Sequence, residues 1–180
     1  LSLEQKVQKL ISILNIRDVE NNLPVPFRLL TLTSPRAIQE LVERLLEKSE
    51  GRRERINEIL GEVEVRISLK NEESLIFEGS SDWDFALISV VASLLLQTYQ
   101  KPTFIFKKLE KESQGTVRTP KTINSVSLMK KCQKYPITFG GHPQASGFRI
   151  KNENLEKFKQ CLLRNYEFFT KVRKKSNNHD

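Results

Sequence analysis

The spacing of apolar residues divides the first sixty positions into two predicted helices. Residues 3–14 carry apolar side chains at helical spacing, and two prolines within residues 24–26 predict an extended passage after that helix. A second helix is expected to begin at Ser34–Pro35, where a capping hydroxyl precedes a proline at the first helical position. Residues 47–58 are nearly all charged, so the second half of this helix has little to bury and is expected to stand in water as a connecting helix. Gly61 predicts its end.

The pattern after residue 61 is that of an α/β domain. Apolar and charged residues alternate from 63 to 69, as in a strand with one wet face, and a second strand is expected at 75–78. Residues 85–99 are apolar on almost every side of a helix, which predicts a buried helix. With the β-rich stretch at 102–106, this order of strand, buried helix and strand predicts a parallel crossover unit.

The rest of the chain alternates strands and helices. A hairpin through 107–113 is expected to lead into a strand at 116–119, followed by a helix that Asn124 or Ser125 caps and that ends before Pro136. Strands at 137–139 and 148–150 are expected on either side of a special loop. A last helix is predicted from about Asn152, and residues 171–180 are predicted to form a disordered polar tail. We therefore predict an α/β fold with a mixed β-sheet flanked by helices. The predicted domains are an N-terminal helical segment at 1–34, a connecting helix at 35–61, the α/β domain at 62–172 and a tail at 173–180.

Composition excludes several classes of protein. The chain is 38% hydrophobic and 29% charged, unlike collagen-like or disordered chains. Its longest apolar stretch, Phe85 to Leu96, is far shorter than the roughly 20 residues of a membrane span, and residues 1–15 lack a signal peptide's apolar block, so we expect a soluble, unsecreted protein. Cys132 and Cys161 are too few for a disulfide framework, and we expect two small core residues in a reducing compartment. Because Met129 is the only methionine, we expect a piece of a longer polypeptide.

Charge is unevenly distributed along the chain. The formal net charge is +8, but the first hundred residues carry 12 basic against 16 acidic groups, while the last eighty carry 18 against 6. The excess of +12 in the last eighty residues favours an anionic partner, and a nucleic acid more than a membrane.

The segment 139–148 is the most specific local signal. Gly140 and Gly141 can take positive φ and direct backbone N–H groups to one point, which suits an anion. Pro143 could open a short helical turn whose N–H groups face the same point, and His142 would add a donor. These residues predict a phosphate site, although a bare Gly-Gly-His is more often a tight loop with an exposed histidine.

Three segments in the right order resemble one known family. They are Gly140 to Phe148 with its GGHPQASGF string, Asp82-Trp83 with the apolar run 88–93 and Lys101-Pro102, and Gly115 to Thr119, which carries Arg118. Together they resemble the DHHA1 domain, the substrate-binding domain of DHH phosphoesterases, and the second segment resembles its opening in RecJ-type single-strand-specific exonucleases.

The resemblance implies a 5′ to 3′ exonuclease of single-stranded nucleic acid, cytoplasmic or nucleoid-associated and acting in DNA repair. It implies Arg118, Gly140, Gly141 and His142 as phosphate-binding residues, and Mn²⁺ or Mg²⁺ held by a DHH catalytic domain of the same polypeptide. The chain has no Asp-His-His string, so we expect no metal or catalytic residues here and no activity alone. The lysines and arginine expected to supply the surrounding positive field are Lys121, Lys130, Lys131, Lys134 and Arg149.

The chain also departs from the RecJ-type pattern. Asp84, Ala86, Ser89 and Leu94 stand where His, Gly, Gly and Arg are usual, which removes a donor and a cation from that segment. Trp83 is expected in the core. Two other functions stay open: a phosphodiesterase of short oligonucleotides or cyclic dinucleotides, and a non-catalytic module that binds RNA or serves as a replication scaffold.

Overall fold

The computed structural model describes residues 2–16, 18–20, 22–70 and 73–176, with side chains as far as Phe168. The chain divides into two compact units, residues 1–58 and residues 59–180. Within the described residues, no helix combines the length and the apolar character that crossing a bilayer requires.

The first unit packs short elements around a small core. In chain order these are α1 (Leu3–Leu14), β1 (Val19–Glu20), β2 (Leu23–Pro24), α2 (Val25–Thr31) and the first part of α3 (Pro35–Ser68). The buried core residues are Ile13, Val25, Leu41 and Leu45. The predicted extended passage after residue 24 is wrong, because α2 begins there with Pro26 in its first turn. A proline is tolerated at that position since the first N–H groups of a helix have no intrahelical partner.

The predicted helix end at Gly61 and the strand at 63–69 are also wrong, because α3 continues to Ser68. Ile59 and Val63, one helical turn apart, are buried, whereas Val65 and Leu69 are 60% and 82% exposed. The alternation of apolar residues therefore does not correspond to a buried face. Glu62 accepts a hydrogen bond from the indole Nε1 of Trp83, and side-chain contacts of this kind stabilise the last turns of α3.

The second unit contains a five-stranded sheet in the order β3-β4-β5-β7-β6. The strands of the sheet are β3 (Ile76–Ser80), β4 (Thr103–Lys108), β5 (Glu112–Arg118), β6 (Pro136–His142) and β7 (Ala145–Lys151). Beyond α3, the helices of this unit are α4 (Phe85–Tyr99), α5 (Ser125–Lys130) and α6 (Leu155–Ser176). A 3-10 turn at Asn152–Asn154 precedes α6. β3 and β4 are parallel, and α4 connects them, which confirms the predicted crossover unit. The other pairs are antiparallel. The mixed sheet flanked by helices is confirmed.

The two faces of the sheet are covered differently. One face packs against α5 and α6 in a core of aromatic and aliphatic side chains that includes Phe104, Phe148 and Phe158. The other face packs against α4 over β4 and β5. Because neighbouring strand residues point to opposite faces, the register decides which side chains of β6 and β7 lie on the α4 side.

Two expectations about the C-terminal part need correction. Cys132 and Cys161 are buried, as expected for core residues, but they are joined in a disulfide and are not separate thiols. The turn after α5 and the middle of α6 bring them together from 29 residues apart, which spacing alone does not reveal. The predicted tail from residue 171 is helical as far as Ser176, and residues 177–180 lie outside the described residues.

Candidate nucleic-acid interface

Three rows of paired residues form one open face of the sheet. Arg118 pairs with Ala145, which pairs with His142; the next rows are Thr116, Gly147 and Gly140, and then Gln114, Arg149 and Thr138. Because directly paired residues project from the same side of a sheet, these nine residues share the α4 side. They are all exposed or half-buried. We call this surface the open face.

Arg118 stands on the open face beside α4. Its Nε donates to Ser93 Oγ at 3.2 Å, and its Nη1 donates to Thr116 Oγ1 at 2.7 Å and to the Val117 carbonyl at 2.9 Å. Its Nη2 makes no hydrogen bond to the part of the chain that the structure describes. Burial lowers the pKa of Arg118, as expected for a cation moved partly out of water. The guanidinium is therefore oriented by the protein and keeps one nitrogen for a ligand.

The glycine-histidine segment is a β-hairpin and not the predicted loop. Gly140, Gly141 and His142 end β6, and Pro143 and Gln144 form the two-residue turn into β7. The predicted helical turn opened by Pro143 is wrong, since β7 begins at Ala145. Of these two glycines only Gly141 has positive φ, at 132°, so the predicted positive φ at Gly140 is wrong as well. The predicted cluster of backbone N–H groups therefore does not form in this way.

Hydrogen bonds from the segment after β5 hold the turn that carries His142. The backbone N–H of Thr119 donates to the Gln144 carbonyl at 3.2 Å, and that of Ser125 donates to the Pro143 carbonyl at 2.7 Å. The Ser125 hydroxyl lies 2.6 Å from the hydroxyl of Ser146, and both residues are buried. These bonds replace the turn chemistry that a Gly or Asn would supply in a tight hairpin. They fix His142 relative to Arg118.

The centre of the open face is made of small residues. Ala145 lies between Arg118 and His142, which are two strands apart, or about 10 Å between Cα atoms, and Gly147 and Gly140 lie in the next row beside Thr116. A Cβ added to Gly140 would meet nothing within 4 Å, so its neighbours leave this space open. A long chain with charged groups could lie across this flat centre and contact both side chains.

The positive groups expected around the site fall into three places. Arg149 is on the open face, but it forms an ion pair of 3.0 Å with Glu112, so its charge is partly compensated. Lys121 lines a cavity beside the end of α4. Lys130, Lys131 and Lys134 follow or end α5, which packs on the opposite face of the sheet. The charge near the open face therefore comes from fewer residues than the sequence predicts.

One departure from the RecJ-type pattern, Asp84, has a structural role. Asp84 is the N-cap of α4, and its carboxylate accepts a hydrogen bond from the Ala86 N–H at 2.8 Å. Trp83 is fully buried, which confirms its expected place in the core, and Arg66 lies 5.2 Å from its ring centroid. Sequence reasoning missed Ser93, whose hydroxyl orients Arg118. The available signal was a pair of serines, Ser89 and Ser93, one helical turn apart in a largely apolar helix.

The described residues bring no three His, Cys, Asp or Glu side chains together in a group that could hold a metal ion. The open face presents Thr138, Thr116 and Gln114 as its other polar side chains. These donor types suit phosphate oxygens and sugars better than a divalent cation.

Comparison with known proteins assigns this architecture to a family. The DHHA1 domain pattern matches residues 72–166, which is more than half of the chain. The chain therefore belongs to the DHHA1 domain family. This confirms the resemblance of the three sequence segments.

Individual relatives agree with the family. The chain is 24% identical over 93 residues to the single-stranded-DNA-specific exonuclease RecJ of Bacillus subtilis (strain 168), covering 51% of the chain and 12% of that protein. The fold is similar to RecJ from Thermus thermophilus in complex with Mg²⁺, with a TM-score of 0.67, 22% identity and coverage of 78% of this chain and 22% of that one. The Mn²⁺ complex from the same organism gives a TM-score of 0.67, 22% identity and coverage of 78% and 21%. The chain thus spans less than a quarter of these relatives.

Proposed function

We propose that the open face binds the phosphate backbone of single-stranded nucleic acid, as the substrate-binding part of a RecJ-like 5′ to 3′ exonuclease. The observation that carries this proposal is the row Arg118–Ala145–His142. It places an oriented guanidinium and an imidazole on one face, with only a methyl group between them. Arginine forks and imidazolium groups are strong partners for phosphate oxygens.

Three further features support a backbone contact. Gly140 and Gly147 have no side chains to project from the middle row of the open face, so a nucleic-acid strand can approach the sheet closely there. Thr116 and Thr138 add hydroxyl donors of the kind that often contact phosphate and sugar oxygens. The basic excess of the last eighty residues would attract a polyanion. None of these features reads a base sequence, which fits an exonuclease that degrades strands of any sequence.

The chemistry of such an exonuclease would belong to another part of the polypeptide. The proposal assigns the Mn²⁺ or Mg²⁺ ions to a DHH catalytic domain, and it gives this chain the task of holding the strand that enters that domain. The named relatives, one of them a single-stranded-DNA-specific exonuclease, support this division because the chain corresponds to a small part of each. A cytoplasmic or nucleoid-associated location and a role in DNA repair follow from the same proposal.

A salt titration tests the proposal on the chain itself. Binding of a fluorescein-labelled single strand is measured by fluorescence anisotropy at several salt concentrations, and log affinity should fall with log salt with a slope of about −0.7 per phosphate contacted. We expect weak binding and roughly two to five contacts, because the open face is small. Arg118→Ala should make the slope shallower by about 0.7 and lower affinity similarly for different base sequences.

Arg164→Ala is the matched control, because Arg164 is exposed on α6, the helix that packs on the opposite face of the sheet. It should leave the slope nearly unchanged. His142→Ala should weaken binding without lowering the unfolding temperature, since the His142 side chain is exposed. A slope near zero, or equal affinity for single strands and blunt duplexes, would contradict the proposal. Binding only of dinucleotides or cyclic dinucleotides would favour the phosphodiesterase alternative.

A further inference from the structure

A cavity of about 570 Å³ lies at the same end of the sheet as Arg118 and His142. The last turn of α4 contributes Leu96 and Gln97 to its wall, the C-cap of α4 contributes Gln100, and the hairpin turn contributes Gln144. The segment that follows β5 supplies Thr119, Pro120 and Lys121. The volume is within the usual range for small-molecule sites. It is therefore large enough for one nucleotide's base and sugar.

The cavity continues from the phosphate-binding residues along the chain. Thr119 directly follows Arg118, and Gln144 is two residues after His142, a separation of no more than about 7 Å. The α4 residues are close because α4 ends just before β4, whose first residue, Thr103, pairs with Arg118. A nucleotide whose phosphate lies on Arg118 and His142 therefore has the cavity within reach of its base.

The chemistry of most of the wall fits a base better than a second phosphate, and among the described residues Lys121 is the one cation in the wall. The C-terminal end of a helix carries a partial negative charge, which disfavours an anion beside the last turn of α4. Leu96 and Pro120 offer apolar contact for a flat ring. Gln97, Gln100 and Gln144 are exposed and surround this surface with amides, each of which both donates and accepts. Proteins bind unstacked bases by contact with the face of the ring and hydrogen bonds at its edges, and this wall offers both, with Leu96 and Pro120 in place of an aromatic side chain.

Gln100 supplies an independent observation. It is the C-cap of α4 and has a left-handed backbone, with φ of 52° and ψ of 27°. Glycine is the common residue at such positions because other residues adopt this conformation at a cost. Its side-chain Nε2 donates to the Gln97 carbonyl at 2.9 Å, which holds the amide at the cavity wall and leaves its oxygen as an acceptor.

From these observations we propose that the cavity is a base subsite that takes one unpaired base, with adenine preferred, next to the phosphate held on the open face. A glutamine amide can donate to N7 of adenine and accept from its N6 amino group, a pairing that distinguishes adenine from the other bases. This inference rests on the proposed function, because the phosphate contacts would bring the base to the cavity. It adds a base contact that the open face lacks.

The test compares strands that differ only in their bases. The three labelled strands have the same length and the same phosphates: oligo-dA, its 7-deaza-adenine analogue and an all-abasic strand. Binding of each strand to the protein is measured by fluorescence anisotropy at several salt concentrations. We expect the 180-residue chain to bind oligo-dA at least about fivefold more tightly than the abasic strand. The 7-deaza strand should bind with intermediate affinity because it lacks the N7 acceptor. All three strands should give the same salt slope.

Variants connect the preference to the cavity. Gln97→Ala/Gln144→Ala should bind oligo-dA and the abasic strand equally, with the salt slope of the wild type, while Gln133→Ala, at an exposed glutamine after α5, should keep the preference. Gln100→Gly should reduce the preference without lowering stability, since glycine suits that backbone, so misfolding would not explain the loss.

Equal affinity of the wild type for all three strands, with a normal salt slope, would overturn the base subsite and leave the phosphate proposal standing. Retention of the full adenine preference by the double variant would also overturn it. A salt slope near zero would instead count against the proposed function.

Discussion

The neighbouring glycines Gly140 and Gly141 of the hairpin have different structural roles. Gly141 has φ of 132°, and a Cβ there would lie 2.7 Å from Ser146 Cα and 2.8 Å from the Ala145 carbonyl oxygen, both backbone atoms. Gly140 has neither constraint. The sequence alone made the two glycines equivalent, because the difference arises from pairing with β7. Gly141 shapes the hairpin, and Gly140 keeps the open face accessible.

This difference gives a matched pair of substitutions. Gly141→Ala should lower the free energy of unfolding by about 1 to 3 kcal/mol, since it combines a disfavoured φ with a backbone clash. Gly140→Ala should change it by no more than about 0.5 kcal/mol, as for most exposed positions. Urea unfolding followed by circular dichroism measures both. Equal losses for the two variants would contradict this hairpin geometry.

Among the elements, those that follow from local chemistry agree with the sequence. The buried helix 85–99 is α4 with the predicted bounds, and Asn124 caps α5 by accepting a hydrogen bond from the Ser127 N–H. The end of α3 was missed because its contacts, such as Glu62 with Trp83, join residues 21 apart in sequence. The hairpin turn was missed for a similar reason, since Thr119 and Ser125 stabilise it from outside.

For the candidate site, the sequence supplied Arg118 and His142 but not their arrangement. Only the register across β5, β7 and β6 shows that both side chains lie in one row and on one face. Ser93 and the cavity at the end of α4 depend on how that helix packs on the sheet. Such packing is set by contacts distant in sequence, which single-residue patterns do not contain.

The continuation of α3 predicts the effect of a substitution at Gly61. A glycine inside an exposed helix is less favourable than alanine by about 1 kcal/mol, and a Cβ on Gly61 would meet nothing within 4 Å. Gly61→Ala should therefore raise the unfolding free energy by about 0.5 to 1 kcal/mol in urea titrations. If the helix ended at Gly61 in a left-handed cap, alanine would lower stability instead. The sign of the change decides between the two structures.

The disulfide makes a second prediction about elements. Cys132 and Cys161 are separated by 29 residues, and closing a loop of that length is expected to stabilise the fold by up to about 3 to 4 kcal/mol. Reductant should therefore shift the unfolding midpoint of the wild type to lower urea. A Cys132→Ser/Cys161→Ser variant should be insensitive to reductant. Equal midpoints of the wild type with and without reductant, or alkylation of both thiols in the non-reduced protein, would show that the bond does not form.

At the scale of the whole molecule, charge and chemistry are divided along the chain. The first hundred residues have a net charge of −4 and the last eighty +12, so the positive charge that would attract the proposed strand is concentrated in the α/β unit. The aspartates are Asp18, Asp82, Asp84 and Asp180, and the histidines are His142 and His179. His179 and Asp180 lie outside the described residues, and the others are not gathered into a metal-binding group. On the proposed function, the described residues of this chain would hold the strand, and the ligands for two-metal hydrolysis would come from another part of the polypeptide.

The purified 180-residue chain should consequently show no Mn²⁺-stimulated degradation of single-stranded DNA, even at concentrations where anisotropy shows that the strand is bound. Hydrolysis of a phosphodiester by this route needs a metal-activated water and a metal to stabilise the leaving oxygen, and phosphate contacts from Arg118 and His142 supply neither. The measurement is a gel assay of an end-labelled strand with Mn²⁺, Mg²⁺ or EDTA. The contradicting outcome is metal-dependent degradation that persists after further purification of the chain and is absent from a His142→Ala control. That result would contradict the division into a binding chain and a separate catalytic domain.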